Sequence, residues 1–360
     1  MKVALLYNDP DLKADLEPGI TDRYIHNHII AIEESLKEKN HEIIKLDVKN
    51  DVQRLICDIQ TDKPDVVVNL CESVFGRAEF EMNVVALLEL LKVPYTGASP
   101  IALGICLNKY NHRLFLKDMK IKCPGAVTVK GVQDFKSLGK LKFPVIVKPL
   151  YEDGSAGISE RNIFSSPQEA MENFERLLGV FSEGLLAEEY IDGREFNCFL
   201  VKTKNGVKSF PVSEIKFSFP DKRKYKIISY EAKWNPESIE YKSTMPVCPA
   251  ELSKSLLKKI QDVCVKIFNV MVKKGYARVD LRMDERNNLY IIDVNPNPDI
   301  SPDAGAVRQM KAGGWTHTDF VEQILEEGIE YMKNPIFKQV SADSVHTSES
   351  GKDLKVTAAV

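Results

Sequence analysis

Arg278, Asp280, Asp293 and Asn295 are charged or amide residues set in two otherwise apolar runs, "YARVDLRM" and "LYIIDVN". Residues two apart on an extended chain face the same side, so Arg278 falls in with Asp280, and Asp293 with Asn295. The stretch "YARVDLRMDERNNLYIIDVNPNP" reads as a hairpin, and cross-strand neighbours lie about 4.5 to 5.5 Å apart, close enough for Asp280 and Asp293 to repel. A buried charge without a partner is costly. A divalent cation removes the conflict, because two carboxylates and an amide oxygen are hard ligands of the kind magnesium takes while keeping positions for water and substrate phosphate. The alternative is a strand end running into an ordinary Asn-Pro turn.

A phosphate-bearing substrate needs cations and close backbone approach. Lys148 ends the run "VIVKP" just before "LYEDGSAGIS", where Gly154, Ser155 and Gly157 are small enough for backbone N–H groups to reach phosphate oxygens. No Gly-Lys-Ser/Thr follows, so the loop is not a Walker A loop, and taken alone it reads equally as a surface turn. Lys109 in "CLNKY" and Lys233 in "YEAKW" sit in similarly apolar settings, where the competing explanation is a solvated lysine or a local ion pair. In "LLAEEYIDGREF", Glu188, Glu189 and Glu195 are either exposed acids beside a turn or part of a nucleotide pocket. Such a pocket uses one acid at the adenine amino group, main-chain contacts at a hinge and another acid on the ribose.

These residues need a frame. "KVALLY", "HEIIKLDV" and "PDVVVNL" read as covered strands, while "RYIHNHIIAIEESLKEKNHEI" and "VVALLELLKVPYTG" read as helices, the latter ending before Pro94. That alternation predicts a doubly wound parallel sheet over residues 1–100. After "GASP", a helix carrying "LNKYNHRLFLKDM" leads to the buried strand "FPVIVKPL", and "PQEAMENFERLLGVF" forms the next helix. "GLLAEEYIDGREFNCFLV" and "VKSFPVSEI" read as antiparallel strands with a Gly-containing turn between them. "AELSKSLLKKIQDVCVKIFNVMVKKG" reads as one long amphipathic helix before the hairpin. The polar, aperiodic tail at 337–360 is expected to be disordered.

The 360 residues allow two to three domains, and 44% hydrophobic residues suffice for their cores. A formal charge of −3 gives no bulk reason to expect a nucleic-acid partner. The longest apolar stretch, "VVALLELLKV", is broken by Glu89 and Lys92, and "VALLY" is too short for a secretion signal, so neither export nor a membrane span is expected. Seven cysteines without a Cys-x-x-Cys pair fit reduced thiols in a cytoplasm.

In order along the chain, "VPYTG", "LNKYNHRLFLKDM", "FPVIVKP", "EEYIDGREF", "YEAKW", "ARVDLRMD" and "IIDVNPNPDIS" together resemble the D-alanine:D-alanine ligase group of the ATP-grasp superfamily, over about residues 2–333. The resemblance implies an α/β and α+β architecture. An N-terminal Rossmann-like parallel-sheet domain (1–100) would help form the substrate site, and ATP would be clamped between a central lobe (101–190) and a C-terminal lobe with the metal site (191–336). It implies that Lys109, Lys148 and Lys233 contact ATP phosphates, that Glu188 and Ile191 line the adenine hinge, that Glu195 takes the ribose, and that Ile292 is a further nucleotide-binding residue. Gly154 and Ser155 would lie in a loop, 152–158, that closes over the phosphates. Arg278 would stabilise the reacting carbonyl and phosphate, with Lys148 and Lys233 assisting catalysis, and Asp280, Asp293 and Asn295 would hold two magnesium ions or manganese in their place. The implied reaction activates a carboxylate as an acyl phosphate, which an amine then displaces. It leaves a homodimer open, since "VVALLELL" has apolar surface to contribute.

The chain departs from that pattern at its substrate positions. Asp293 stands where Glu is usual, a side chain shorter by one C–C bond, about 1.5 Å. Asp299 in "PNPD" stands at a usual glycine, Gly154 at a usual serine, and Trp234 at a usual tyrosine. "NLCESVFGRAEFEMN" lacks the common Gly-Glu-Asp-Gly, and the acid that receives the first ammonium has only Asp15, Glu17 and Asp22 as candidates. The sequence therefore predicts an ATP- and magnesium-dependent carboxylate-amine ligase acting on amino-acid or peptide-like substrates. The alternatives are a true D-alanine:D-alanine ligase and an ATP-binding regulatory protein without turnover.

Overall fold

A computed structural model describes residues 1–8, 18–48, 51–151, 155, 157–181, 183–220, 225–334 and 337, with side chains in the first helix from residue 28 onward. Gly154, most of the loop at 152–156, Asp15, Glu17, the Asp22 side chain and the tail after 337 lie outside the described residues.

The Val-rich N-terminal runs form three parallel strands, β1 (Lys2–Tyr7), β2 (Glu42–Asp47) and β3 (Val66–Asn69), in the order β2-β1-β3. Around them run helices α1 (Pro18–Glu38), α2 (Val52–Asp62), α3 (Glu81–Leu90), α4 (Pro100–Leu107) and α5 (Asn111–Asp118). A second, antiparallel sheet holds β4 (Ala126–Val129), β5 (Val145–Pro149), β6 (Ile163–Phe164) and β7 (Leu185–Glu189) in the order β4-β7-β5-β6. Helix α6 (Pro167–Val180) buries Ala170, Phe174 and Leu177 in the core of that sheet.

The third sheet contains β8 (Arg194–Thr203), β9 (Gly206–Ser209), β10 (Ser213–Phe217), β11 (Thr244–Val247), β12 (Tyr276–Met283) and β13 (Leu289–Asn295). Its order is β11-β10-β8-β12-β13, with β9 paired to β8. Short helices α7 (Tyr230–Trp234) and α8 (Ile239–Lys242) precede β11, and α9 (Lys254–Ile267) precedes β12. After β13 come α10 (Gly305–Ala312) and α11 (His317–Met332). Phe320, Val321, Ile324 and Leu325 of α11 share a core with Val3, Leu5 and Ile32 on one side and Phe199, Phe210 and Tyr276 on the other. The first and third sheets are thereby packed as one body, which fixes the N-terminal unit against the hairpin.

Three expectations need correction. "LLAEEYIDGREFNCFLV" is two strands in two different sheets, β7 and β8, joined by Tyr190–Gly193. Gly193 makes this crossing with φ +129°, and a Cβ there would collide with the Met283 carbonyl. The "LNKYNHRLFLKDM" segment is not wholly helical: the chain breaks after α4, and Asn108 Oδ1 accepts from the N–H groups of Tyr110 and Asn111 at 3.0 and 2.9 Å to start α5. Lys109 thus sits in a turn. The long helix before β12 is α9 followed by a π-helical turn, Phe268–Val272.

Candidate active site

The hairpin forms in the register its sequence pattern demands. Asp280 pairs with Asp293 and Arg278 with Asn295 across β12 and β13, with a bulge immediately after Asp280. Arg278 donates from Nε and Nη2 to the two oxygens of Asp280, each at 2.8 Å, a planar fork that orients the guanidinium. Asn197 on β8, opposite Asp280 in the ladder, adds a bond from Nδ2 to Oδ1 at 2.7 Å. Asn295 Oδ1 accepts from the Asn297 N–H at 2.8 Å. Asp293 is ionised: burial opposes its charge, but Lys109, Lys148 and Arg278 outweigh that and hold its carboxyl down to about 2.

Beside Asp293 stands a cationic group that the lysine motifs only partly revealed. Lys148 at the end of β5 donates to Glu188 Oε1 at 2.9 Å, from the adjoining strand β7. Burial first, and then Arg113 and Lys109, push the Lys148 ammonium down to about 7, with Asp293 pulling it up. Lys109 is brought alongside by its N–H, which donates to the Leu150 carbonyl at 3.1 Å. Arg113 on α5 is buried and ion-paired to the other oxygen of Glu188, and it donates to the carbonyls of Lys109 and Ile292. His112 is fully buried as the neutral tautomer: Nδ1 lies 3.2 Å from the Cys106 carbonyl and Nε2 3.1 Å from Arg113 Nη1, so Nδ1–H donates and Nε2 accepts. Burial, then Arg113, depress its pKa to about 3.

The segment between β7 and β8 is held by Arg282, which sequence reading missed. Its Nη1 donates to the Ile191 carbonyl at 2.7 Å, and Nε and Nη2 both donate to Glu195 Oε2, at 3.0 and 2.7 Å. A further bond goes to the Lys226 carbonyl. In this structure Glu195 is therefore occupied by a buried arginine.

Every described candidate lines one cleft of about 2130 Å³: Lys109, Lys148, Ser155, Glu188, Ile191 and Glu195 on one part, and Lys233, Arg278, Asp280, Ile292, Asp293 and Asn295 on the other. That exceeds the roughly 300–1,000 Å³ of a single small-molecule pocket and leaves room for a nucleotide and further substrates. Lys233, on α7, has its ammonium 5.7 Å from the Trp234 ring centre. Arg113, His112, Arg282 and Asn197 are the contributors that sequence reasoning missed. The period-two spacing that puts Arg282 on the face of β12 carrying Asp280 was the one signal for Arg282, while the Glu188 partner of Arg113 lies far off in sequence.

A metal is testable from the donors alone. Among the described residues no three His, Cys, Asp or Glu side chains cluster as metal ligands. Asp280, Asp293 and Asn295 offer only oxygen, one donor is an ionised carboxylate at neutral pH, and few positions are filled by protein. Such a set fits magnesium completed by phosphate and water, and does not fit zinc.

The family described as "D-ala D-ala ligase C-terminus" matches residues 126–326. An uncharacterized protein of Sinorhizobium fredii is 28% identical over 262 residues, covering 72% of this chain and 74% of its own length. A D-alanine–D-alanine ligase of Aquifex aeolicus is 28% identical over 271 residues, covering 75% of this chain and 84% of its own. Among solved structures, the D-alanine–D-alanine ligase of Bacillus anthracis complexed with ATP superposes with a TM-score of 0.71 at 20% identity, over 92% of this chain and 99% of that one.

Proposed function

We infer from one premise, that the chain belongs to the D-ala D-ala ligase C-terminus family and has the ATP-grasp fold of those ligases, that it is an ATP-dependent ligase joining a carboxylate to an amine through an acyl phosphate. The observation that carries the reading is the juxtaposition of Asp280, Asp293 and Asn295 with Arg278, Lys109 and Lys148 in one cleft. Phosphoryl transfer asks a protein for positioning and charge neutralisation more than for a nucleophile, and this group supplies both.

In this reading the nucleotide lies between the second and third sheets, in a chain divided near residues 100 and 190. Ile191, Ile292 and Glu188 flank the base, and Glu195 serves the ribose once Arg282 shares it. Lys109, Lys148 and Lys233 bind phosphate oxygens, with Ser155 and Gly154 in the covering loop. Asp280, Asp293 and Asn295 hold two magnesium ions, for which manganese can substitute, and the cations neutralise phosphate charge when bound. Arg278, fixed by Asp280, steadies the carbonyl and phosphoryl oxygens as charge builds there. The acid's carboxylate oxygen attacks the γ-phosphorus and ADP departs. The amine nitrogen then attacks the acyl carbon, the C–O bond to phosphate breaks, and an amide and inorganic phosphate result. All seven cysteines are free thiols, which supports a cytoplasmic setting, and no described helix is long and apolar enough to cross a membrane. A homodimer is part of the proposal.

The relatives named D-alanine–D-alanine ligase favour a narrower reading in which D-alanine is both substrates. Incubation with ATP, magnesium and a panel of D- and L-amino acids, dipeptides and amines tests both, read by ADP release and by mass spectrometry of the product. An amide formed with one ADP per bond supports the ligase reading, and D-alanyl-D-alanine from D-alanine alone selects the narrower one. Failure of every acid and amine pair overturns both.

A further inference from the structure

Arg282 has no role of its own in the nucleotide reading, yet it is buried on the strand face that also carries Arg278 and Asp280. The ladder of β8 with β12 sets it directly opposite Glu195, as it sets Asp280 opposite Asn197. A buried arginine paired with a buried acid is ordinarily structural. Here the pairing is one-sided. Both bonds to the acid, from Nε and Nη2, go to the same oxygen, Oε2, at 3.0 and 2.7 Å. Among the described residues the other oxygen, Oε1, accepts no hydrogen bond, and it is not sealed away but open to the cleft that Glu195 lines.

Oε2 already has a donor for each lone pair and offers nothing to a ligand. The fork fixes the plane of the carboxylate, which leaves Oε1 as an acceptor at a fixed point of the cleft wall. An acceptor without a donor from the protein fits a donor on the ligand, and the ribose hydroxyls of a nucleotide are such donors. The remaining nitrogen of the guanidinium, Nη1, donates to the Ile191 carbonyl at 2.7 Å, so one side chain sets the spacing between the hinge and the acid. Nη2 also holds the Lys226 carbonyl, and the guanidinium lies 5.0 Å from the centre of the Tyr190 ring. The Tyr190 hydroxyl accepts from the Lys226 N–H at 2.9 Å, which pins the stretch leading to α7 and Lys233 at the same place.

Resting on the ligase reading above, we propose that Arg282 is a positioning residue that makes the cleft selective for ribonucleotides, holding Glu195 by Oε2 so that Oε1 accepts one ribose hydroxyl. The hydroxyl donates, and no covalent bond is made or broken. Without the fork the plane of the carboxylate is unfixed. A buried charge without its partner is costly, so the side chain turns toward water and its hold on the hydroxyl is lost. Lysine at this position keeps the charge but has no planar fork, and a single ammonium does not hold Oε2, the Ile191 carbonyl and the Lys226 carbonyl in the same geometry.

The test is calorimetry on the full chain with magnesium, comparing ADP with 2′-deoxy-ADP and 3′-deoxy-ADP, none of which has a γ-phosphate to transfer. The native protein is expected to bind ADP about 10- to 100-fold more tightly than one of the two deoxy forms, the worth of a hydrogen bond to a charged group, and that form identifies the hydroxyl. Arg282→Met is expected to remove most of the preference. Arg282→Lys is expected to reduce it and serves as the second variant if Arg282→Met does not fold. Glu195→Ala combined with Arg282→Met is expected to show the same ratio as Arg282→Met alone, because the arginine acts through the acid. An arginine with a structural role only would weaken all three nucleotides alike and leave the ratio unmoved. Equal binding of ADP and both deoxy forms by the native protein, or a ratio kept by both Arg282 variants, overturns the proposal and leaves the ligase reading standing. No binding of any of the three overturns both.

Discussion

Replacing Arg113 by methionine removes a guanidinium that holds three parts of the cleft together. Arg113 is 4% exposed and its partner Glu188 is 2% exposed. Breaking such a buried pair from one side strands the other charge, which costs about 3 to 5 kcal/mol. Lys148 still donates to Glu188 at 2.9 Å, which places the loss of the ion pair near the low end of that range. The carbonyls of Lys109 and Ile292 lose a donor as well, adding about 1 kcal/mol each. Arg113→Met should therefore lower the unfolding free energy by about 3 to 5 kcal/mol in urea titrations. A cycle with Glu188→Gln isolates the pair. The double variant should retain about 2 kcal/mol or more of what the two single losses sum to, because the stranded carboxylate is gone. Additivity within about 0.5 kcal/mol would refute the idea that Arg113 and Glu188 act as a pair.

Other consequences follow from the same geometry. Arg278→Lys keeps the charge but loses the fork on Asp280, so turnover should fall about 100- to 1000-fold while nucleotide affinity, measured by calorimetry, changes little. Asp293→Asn should weaken Mn2+ binding followed by electron paramagnetic resonance, and unchanged binding would remove Asp293 from the metal set. His112 is neutral when folded, with a pKa of about 3 against 6.5 when unfolded, so the unfolded chain binds the extra proton between those values and stability falls as pH drops through that window. From pH 6.5 to 5 this one group should cost about 1.5 kcal/mol, a dependence that His112→Asn should flatten in denaturation measured at each pH.

The hairpin was legible because its chemistry is local: period two in "YARVDLRM" and "LYIIDVN" places the four polar residues on one face, and β12 and β13 pair Asp280 with Asp293 as that pattern requires. Arg113 was not legible. Its helix carries "NHRLFLKD", an ordinary mixed pattern, and its partner Glu188 lies on β7 in another sheet. Arg282 and Glu195 likewise meet only through the pairing of β12 with β8. The split of "EEYIDGREF" between two sheets escaped as well, since both halves are good strands and the cause, the approach of Gly193 to the Met283 carbonyl, is tertiary. Lone cations in apolar sequence read as solvated until the fold supplies the acid.

Activation of the acid as an acyl phosphate leaves its mark on the oxygen atoms of the released phosphate. With a carboxylic acid that supports turnover, labelled with 18O in both carboxylate oxygens, the inorganic phosphate released alongside the amide is read by mass spectrometry. An acyl phosphate requires one labelled oxygen to pass into each phosphate. Phosphate carrying only unlabelled oxygen, released at the same rate without the acid, would contradict it.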